Sequence, residues 1–129
     1  MIEELSAKEK TLYERLGGYD VIASFVTDYI GFMRADPQFD KYASSRGKDK
    51  RMRDLQLTID YVCKITGGRN YYMGRDMKTT HAGLGITASE WDQNMEYLER
   101  ALDKNNIPKK EKEEVIHLVA DIRPAVVEN

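Results

Sequence analysis

The chain has 129 residues, of which 41% are hydrophobic, so a single domain with a substantial core is expected. A formal net charge of -2 and a pI near 5.7 argue against a dedicated nucleic-acid binder. The lone Cys63 excludes an internal disulfide, and neither a membrane-spanning run nor a signal peptide is visible. We therefore expect a cytoplasmic protein with one domain over residues 1–129, flanked by short ends at 1–10 and 125–129.

Apolar residues recur at intervals of three to four positions along the whole chain, which predicts an all-α fold. Ser6 is expected to cap a short first helix that ends at Gly17 and Gly18. A second helix is expected over 20–34, because Asp36-Pro37 interrupts the periodic stretch. Its apolar side consists of Ile22, Phe25, Val26, Tyr29, Phe32 and Met33.

The middle of the chain is expected to contain one longer helix after two irregular segments. Phe39 and Tyr42 are placed in a short irregular turn, and a small, polar and flexible stretch follows at 43–49. The helix then extends to about Thr66 and is terminated by the glycine pair at 67–68.

A glycine-interrupted segment over 70–86 precedes the last two helices and contains at most one short helix, around 76–81. Thr87 and Glu90 have the spacing of a capping box, in which the threonine caps the helix and the glutamate reaches back. Pro108 suits the first turn of the final helix. The face of the helix after Thr87 is formed by Trp91, Met95, Leu98 and Leu102.

His81 is the strongest candidate for a functional residue and is one of only two histidines. Neutral imidazole is the usual nitrogen ligand of transition metals and the axial ligand of many haem irons. Met77 and Leu84 lie about one helical turn away on either side, which predicts an apolar collar suited to a porphyrin. A lone histidine is also often structural or exposed, so periodicity by itself leaves both interpretations open. His117, among acidic neighbours, is expected on a solvated face and is not a predicted ligand.

Other charged or reactive residues give weaker signals. Lys78 and Arg75 are the better candidates for pairing with a carboxylate of a bound ligand. Cys63 has no adjacent histidine to activate it and is expected to pack in the core. One stretch of the chain is strongly basic and is expected to form the solvated start of a helix. It has no interleaved aromatic residues on which nucleic-acid bases could stack. Its basic residues are Arg46, Lys48, Lys50, Arg51 and Arg53.

Four motifs in a fixed order connect the chain to a known family. They are LYERLGG at 12–18, ADP at 35–37, the glycine pair at 67–68, and YMGRDMKTTH at 72–81 followed by GLGI at 83–86. Each motif is weak alone. The ordered set, with its spacing, resembles the group 1 truncated haemoglobins over about residues 11–125.

The resemblance implies a globin-like fold, a truncated 2-on-2 sandwich in which two antiparallel helix pairs enclose one haem b (iron protoporphyrin IX). It also implies His81 as the proximal iron ligand, with the opposite face open to oxygen, carbon monoxide or nitric oxide. The other residues implied around the haem are Met77, Lys78, Leu84, Ile86, Tyr42, Thr58, Tyr61, Val62 and Tyr72.

The distal side is where this chain departs from the family pattern. Members commonly have a tyrosine in the middle of the second helix, but a gap-free match puts Ile30 there and Tyr29 one residue earlier. One residue is a rotation of about 100° on a helix, so Tyr29 is expected to point away from the iron. Asp54 is expected to face solvent. The implied gas pocket is lined by Ile30, Thr58 and Tyr61, with Tyr29 nearby, and we expect weaker or faster oxygen binding than in tyrosine-gated members.

Three functions remain open from the sequence. The first is a haem protein that reversibly binds oxygen or another diatomic gas, as in oxygen transport. The second is a redox enzyme acting on nitric oxide or a nitrogen oxide, which would need an external reductase because no flavin or nicotinamide motif is present. The third is a helical interaction module without haem. The mixed-charge surface predicts a monomer with no nucleic-acid or membrane partner.

Overall fold

A computed structural model describes residues 10–43, 47–69 and 72–128, and every regular element in that part of the chain is helical. The prediction of an all-α fold is therefore confirmed. None of the helices within these ranges is both long enough and apolar enough to cross a bilayer. The elements are α1 (Leu12–Leu16), α2 (Tyr19–Ala35), a 3-10 helix (Pro37–Phe39), α3 (Asp40–Ala43), α4 (Lys48–Ile65), α5 (Met77–His81), α6 (Ala88–Lys104), α7 (Lys109–Ala120) and α8 (Arg123–Val126).

Several helices begin where a polar side chain accepts a hydrogen bond from a backbone N–H two or three residues later in the chain. Thr11 does so at the start of α1, whereas Ser6, the predicted cap, lies outside the described residues. Asp76 caps α5 in the same way. The predicted capping box at the start of α6 is confirmed, with both the Thr87 and Glu90 side chains bonded to backbone N–H groups.

Two parts of the chain differ from what the sequence pattern indicates. The segment with Phe39 and Tyr42, expected as an irregular turn, is helical because Asp36 caps it and Pro37 supplies a fixed backbone angle at its first position. The C-terminal helix is split into α7 and α8. Pro124 explains the break, since a proline ring clashes with the carbonyl four residues earlier, at Ala120, where α7 ends.

The core lies where α2 packs against both α4 and α6, and α6 in turn packs against α7. The largest fully buried side chains come from all four helices and are Phe25, Ile22, Leu102, Val26, Val115 and Cys63. Burying a side chain of this size contributes about 1.5–3 kcal/mol, which gives the four helices a rigid common centre. The short helix α5 has no buried residue and packs against α8.

An arginine of α1 forms ion pairs with α7. Arg15 donates from Nη1 and Nη2 to the two carboxylate oxygens of Glu114 at 2.6 and 2.9 Å, and Nη1 also lies 2.9 Å from Glu111. A planar, two-point contact of this kind is the strongest form of side-chain ion pair. It raises the pKa of Arg15 and lowers the pKa of Glu114.

Candidate functional site

A cavity of about 720 Å³ is lined by side chains of α2, α4, α5 and α6 and by the C-terminal helices. This volume is within the range of cofactor and small-molecule sites, which are mostly apolar with a few placed polar groups. The wall follows that description, since its apolar members include Val26, Ile30, Leu57, Val62, Leu98 and Val119.

His81 is the last residue of α5 and lines this cavity. Its Nδ1 atom lies 2.8 Å from the carbonyl oxygen of Met77, one turn earlier in the helix. A carbonyl oxygen can only accept, so a neutral His81 ring carries its proton on Nδ1 and keeps the lone pair on Nε2. The same contact fixes the orientation of the ring, as is usual for histidines that bind metals.

The segment that follows His81 is held by the C-terminal end of the described chain. The carboxylate of Glu128 accepts hydrogen bonds from the backbone N–H groups of Gly85 at 2.8 Å and Gly83 at 3.1 Å. Its own N–H donates to the carbonyl of Ile86 at 2.9 Å. These backbone donors lower the pKa of the Glu128 carboxyl group. We call residues 83–86 together with Glu128 the C-terminal strap.

Leu84 does not share a helical face with His81, contrary to the prediction. The helix ends at His81, and Gly83 and Gly85 both take positive φ angles, of 81° and 70°, so the chain turns sharply there. Leu84 reaches the cavity wall from this turn and remains 44% exposed.

Three cations line the cavity, and they are only partly the predicted ones. Arg75 is in the wall, as expected for a group that pairs with a carboxylate. Lys78 is exposed and is not part of the wall. Lys50 and Arg53, from the first turns of α4, line the cavity instead.

The wall formed by α2 and α4 contains every residue predicted for the gas pocket. Tyr29 and Ile30 both line the cavity, so the offset of one residue does not turn the phenol out of it. Thr58 also lines it, but its hydroxyl donates to the backbone carbonyl of Asp54 at 2.8 Å. Asp54 is itself in the wall rather than facing away, contrary to the prediction. Tyr61 is in the wall too.

Two further predicted residues, Tyr72 and Tyr42, are aromatic members of the wall. The ring of Tyr72 packs edge-on against that of Tyr61, with centroids 5.1 Å apart. Tyr42 donates its hydroxyl hydrogen to Glu90 at 2.8 Å.

Glu90 is a buried carboxylate that the sequence indicated only as a helix cap. Besides Tyr42, it accepts from the backbone of Thr87 at 2.9 Å and pairs with Lys41 at 2.8 Å. The ion pair with Lys41 and the hydrogen bonds lower the pKa of Glu90 to about 2. The group therefore joins α3 to the start of α6 and holds Tyr42 in the cavity wall.

Asn94 is a cavity residue that sequence reasoning missed. It lies in α6, is 8% exposed, and its Oδ1 atom accepts a short hydrogen bond from the Tyr29 hydroxyl. A signal was present, since Asn94 is three residues after Trp91 and four before Leu98. A polar residue within an apolar helical face is expected to be buried.

The two remaining candidates lie away from the cavity. His117 is exposed on α7, and Cys63 is buried in the core, where burial raises the pKa of its thiol to about 11. Both agree with the sequence expectations. Among the described residues, no group of three or more histidine, cysteine, aspartate or glutamate side chains could hold a metal ion.

Comparison with solved structures identifies proteins that have the same fold. A truncated haemoglobin from Tetrahymena pyriformis, solved in its Fe(III) form, superposes with a TM-score of 0.83 over 93% of this chain and 100% of that one, at 21% identity. The 2/2 haemoglobin from Synechococcus sp., solved in the cyanomet state with covalently attached haem, gives a TM-score of 0.80 at 25% identity, covering 93% of this chain and 100% of that one.

Sequence comparison extends the likeness to characterised relatives. A group 1 truncated haemoglobin of Mycolicibacterium paratuberculosis is 24% identical over 120 residues, which is 93% of this chain and 86% of the relative. One from Tetrahymena thermophila is 25% identical over 95 residues, covering 74% of this chain and 76% of that protein. The family model for bacterial-like globins matches residues 11–128. The chain therefore belongs to the bacterial-like globin family and has the all-helical 2-on-2 fold of the truncated haemoglobins.

Proposed function

We propose that this globin binds one haem b in the cavity, with His81 as the protein ligand of the iron, and that it reversibly binds a diatomic gas. Haem iron supplies a coordination position at which oxygen, carbon monoxide or nitric oxide can bind. Haem and gas binding are properties of the globin family to which the chain belongs. The assignment of His81 is the part that depends on this chain's own residues.

The observation that carries the proposal is the contact between His81 Nδ1 and the Met77 carbonyl. It favours the neutral tautomer that keeps the Nε2 lone pair for coordination. His81 lies in the wall of the 720 Å³ cavity, and His117 does not. A histidine with a structural role alone would not need this combination of fixed tautomer and cavity position.

The rest of the wall fits the chemistry of haem. A porphyrin buries mostly carbon, which matches the apolar side chains contributed by α2, α4 and α6. Its two propionate groups are anionic, and Lys50, Arg53 and Arg75 in the wall supply positive charge for them. We also propose that the protein acts as a monomer in the cytoplasm, where a buried, unpaired Cys63 remains reduced.

The test is absorption spectroscopy of the purified protein in the ferric, ferrous and carbonyl forms. We expect a Soret band that is lost or strongly weakened in His81→Ala and retained in His117→Ala, the matched control. A folded, colourless wild-type protein that does not take up added hemin would contradict the proposal. Steady-state consumption of nitric oxide, with and without an added reductant, separates gas binding from the redox alternative.

A further inference from the structure

We propose that Asn94 is the side chain that donates a hydrogen bond to a gas molecule in the cavity, and that Tyr29 positions its carboxamide. The inference rests on the haem site proposed above. The hydrogen bond to the gas then comes from an amide on α6 rather than from a hydroxyl group on α2.

Two of the three hydroxyl groups expected to serve this purpose, those of Thr58 and Tyr29, are already engaged. The hydrogen of the Thr58 hydroxyl is used within α4, in the bond to the carbonyl of Asp54. The hydrogen of the Tyr29 hydroxyl is used in the bond to Asn94 Oδ1. A hydroxyl has one hydrogen to donate, so neither group has one left for a ligand.

The Asn94 carboxamide is in the opposite situation. Its oxygen accepts from Tyr29, so its NH2 group, with two hydrogens, is directed elsewhere. The described part of the chain gives that NH2 group no hydrogen bond, and Asn94, which is 8% exposed, lines the cavity. Among the described residues no fully buried side-chain nitrogen or oxygen lacks a partner, so the NH2 group is accessible from the cavity and can donate to a small ligand there.

Tyr29 is well suited to hold the amide in one orientation. Without it, a carboxamide can rotate by half a turn and present oxygen instead of nitrogen. Burial raises the pKa of the Tyr29 phenol above its ordinary value, so the hydroxyl stays protonated and continues to donate into the alkaline range. Because the Tyr29 phenol and the Asn94 carboxamide are both uncharged, we expect the strength of the hydrogen bond to the gas not to change with pH around neutrality.

The test uses the haem-loaded protein and measures oxygen dissociation by stopped flow, together with the C–O stretching frequency of the carbonyl form. Asn94→Leu keeps the size of the side chain but removes the donor. We expect oxygen dissociation to accelerate about two- to tenfold, as for the loss of one hydrogen bond, and the C–O frequency to rise. Asn94→Asp retains the acceptor for Tyr29 and lacks the N–H, and we expect at least as large an acceleration.

Two further variants separate positioning from direct contact. Tyr29→Phe should give a smaller acceleration and a broadened or split C–O band, because the amide then samples two orientations. Gln93→Leu is the matched control, because it removes an amide from the same helix outside the cavity wall, and it should leave both measurements unchanged.

The proposal is overturned if Asn94→Leu and Asn94→Asp keep the wild-type rate and frequency, or if Gln93→Leu reproduces their effect. A Soret band that persists in all variants makes such a result specific to Asn94. Failure of the haem site itself would instead appear as a missing Soret band in the wild-type protein.

Discussion

The Nδ1 atom of His81 lies 2.8 Å from the carbonyl oxygen of Met77, the first residue of the same five-residue helix. The orientation of the His81 ring therefore depends on the folding of α5, because the helix must form for the Met77 carbonyl to be in position. The Asp76 cap and the C-terminal strap hold the two ends of that region.

If His81 supplies the iron ligand, a free imidazole should replace its side chain. We expect His81→Gly to weaken haem affinity by more than about 100-fold, since the loss of a group that only orients a ligand already costs 10–100-fold. Added imidazole should restore the Soret band, as measured by hemin titration. His117→Gly is the control and should bind hemin like the wild type. A wild-type affinity in His81→Gly without imidazole would contradict the assignment.

Two glycines in or beside α2 should respond in opposite directions to alanine. Gly17 has a φ of 110°, and an added Cβ would lie 2.8 Å from Val21 Cγ2, so Gly17→Ala should destabilise the protein by about 1–2 kcal/mol or more. Gly31 lies inside the helix with nothing within 4 Å of its added Cβ, so Gly31→Ala should stabilise by about 0.5–1 kcal/mol. Urea unfolding measures both, and changes of equal sign would contradict the assigned backbone conformations.

The buried Glu90 should make stability depend on pH in the acid range. Its pKa is lowered from 4.5 to about 2 in the folded protein, so the stabilisation is complete above pH 4.5 and is lost as the pH falls toward 2. Glu90→Gln should therefore melt at a lower temperature than the wild type at pH 7, and the difference should shrink between pH 4.5 and pH 2.5. Thermal melting followed by circular dichroism measures this. A difference that is constant with pH would show that the charge of Glu90 does not contribute.

The C-terminal strap should protect the segment after His81. Glu128→Ala removes the acceptor for the N–H groups of Gly83 and Gly85, so we expect their amide hydrogens to exchange at least several-fold faster. Haem dissociation should also become faster, since the segment carries Leu84 and Ile86 of the cavity wall.

The matched control for the strap is Glu113→Ala, an exposed glutamate of α7. Exchange measured by nuclear magnetic resonance should be the same in this variant as in the wild type at both glycines. Exchange that remains slow in Glu128→Ala would mean that the strap is not what protects them.

Parts of the site could be predicted from local sequence because their causes are local. His81 stood out through its residue type and its neighbour Met77, and the cap formed by Thr87 and Glu90 depends on residues three positions apart. Leu84 reached the wall for a reason other than the predicted one, because the glycines around it end the helix. Lys78, predicted at the cofactor, is exposed and does not line the cavity, and its role stays a prediction.

The sequence by itself determined the all-helical class, most helix boundaries and the candidate histidine, because periodicity and capping act over a few residues. Only the tertiary structure decided which distant groups meet. Tyr29 and Asn94 are 65 residues apart, and Gly83 and Glu128 are 45 apart, so their contacts depend on the packing of separate helices. The same packing selected Lys50 and Arg53 for the cavity wall, since a side chain's neighbours there are set by the angles between helices rather than by its own short segment.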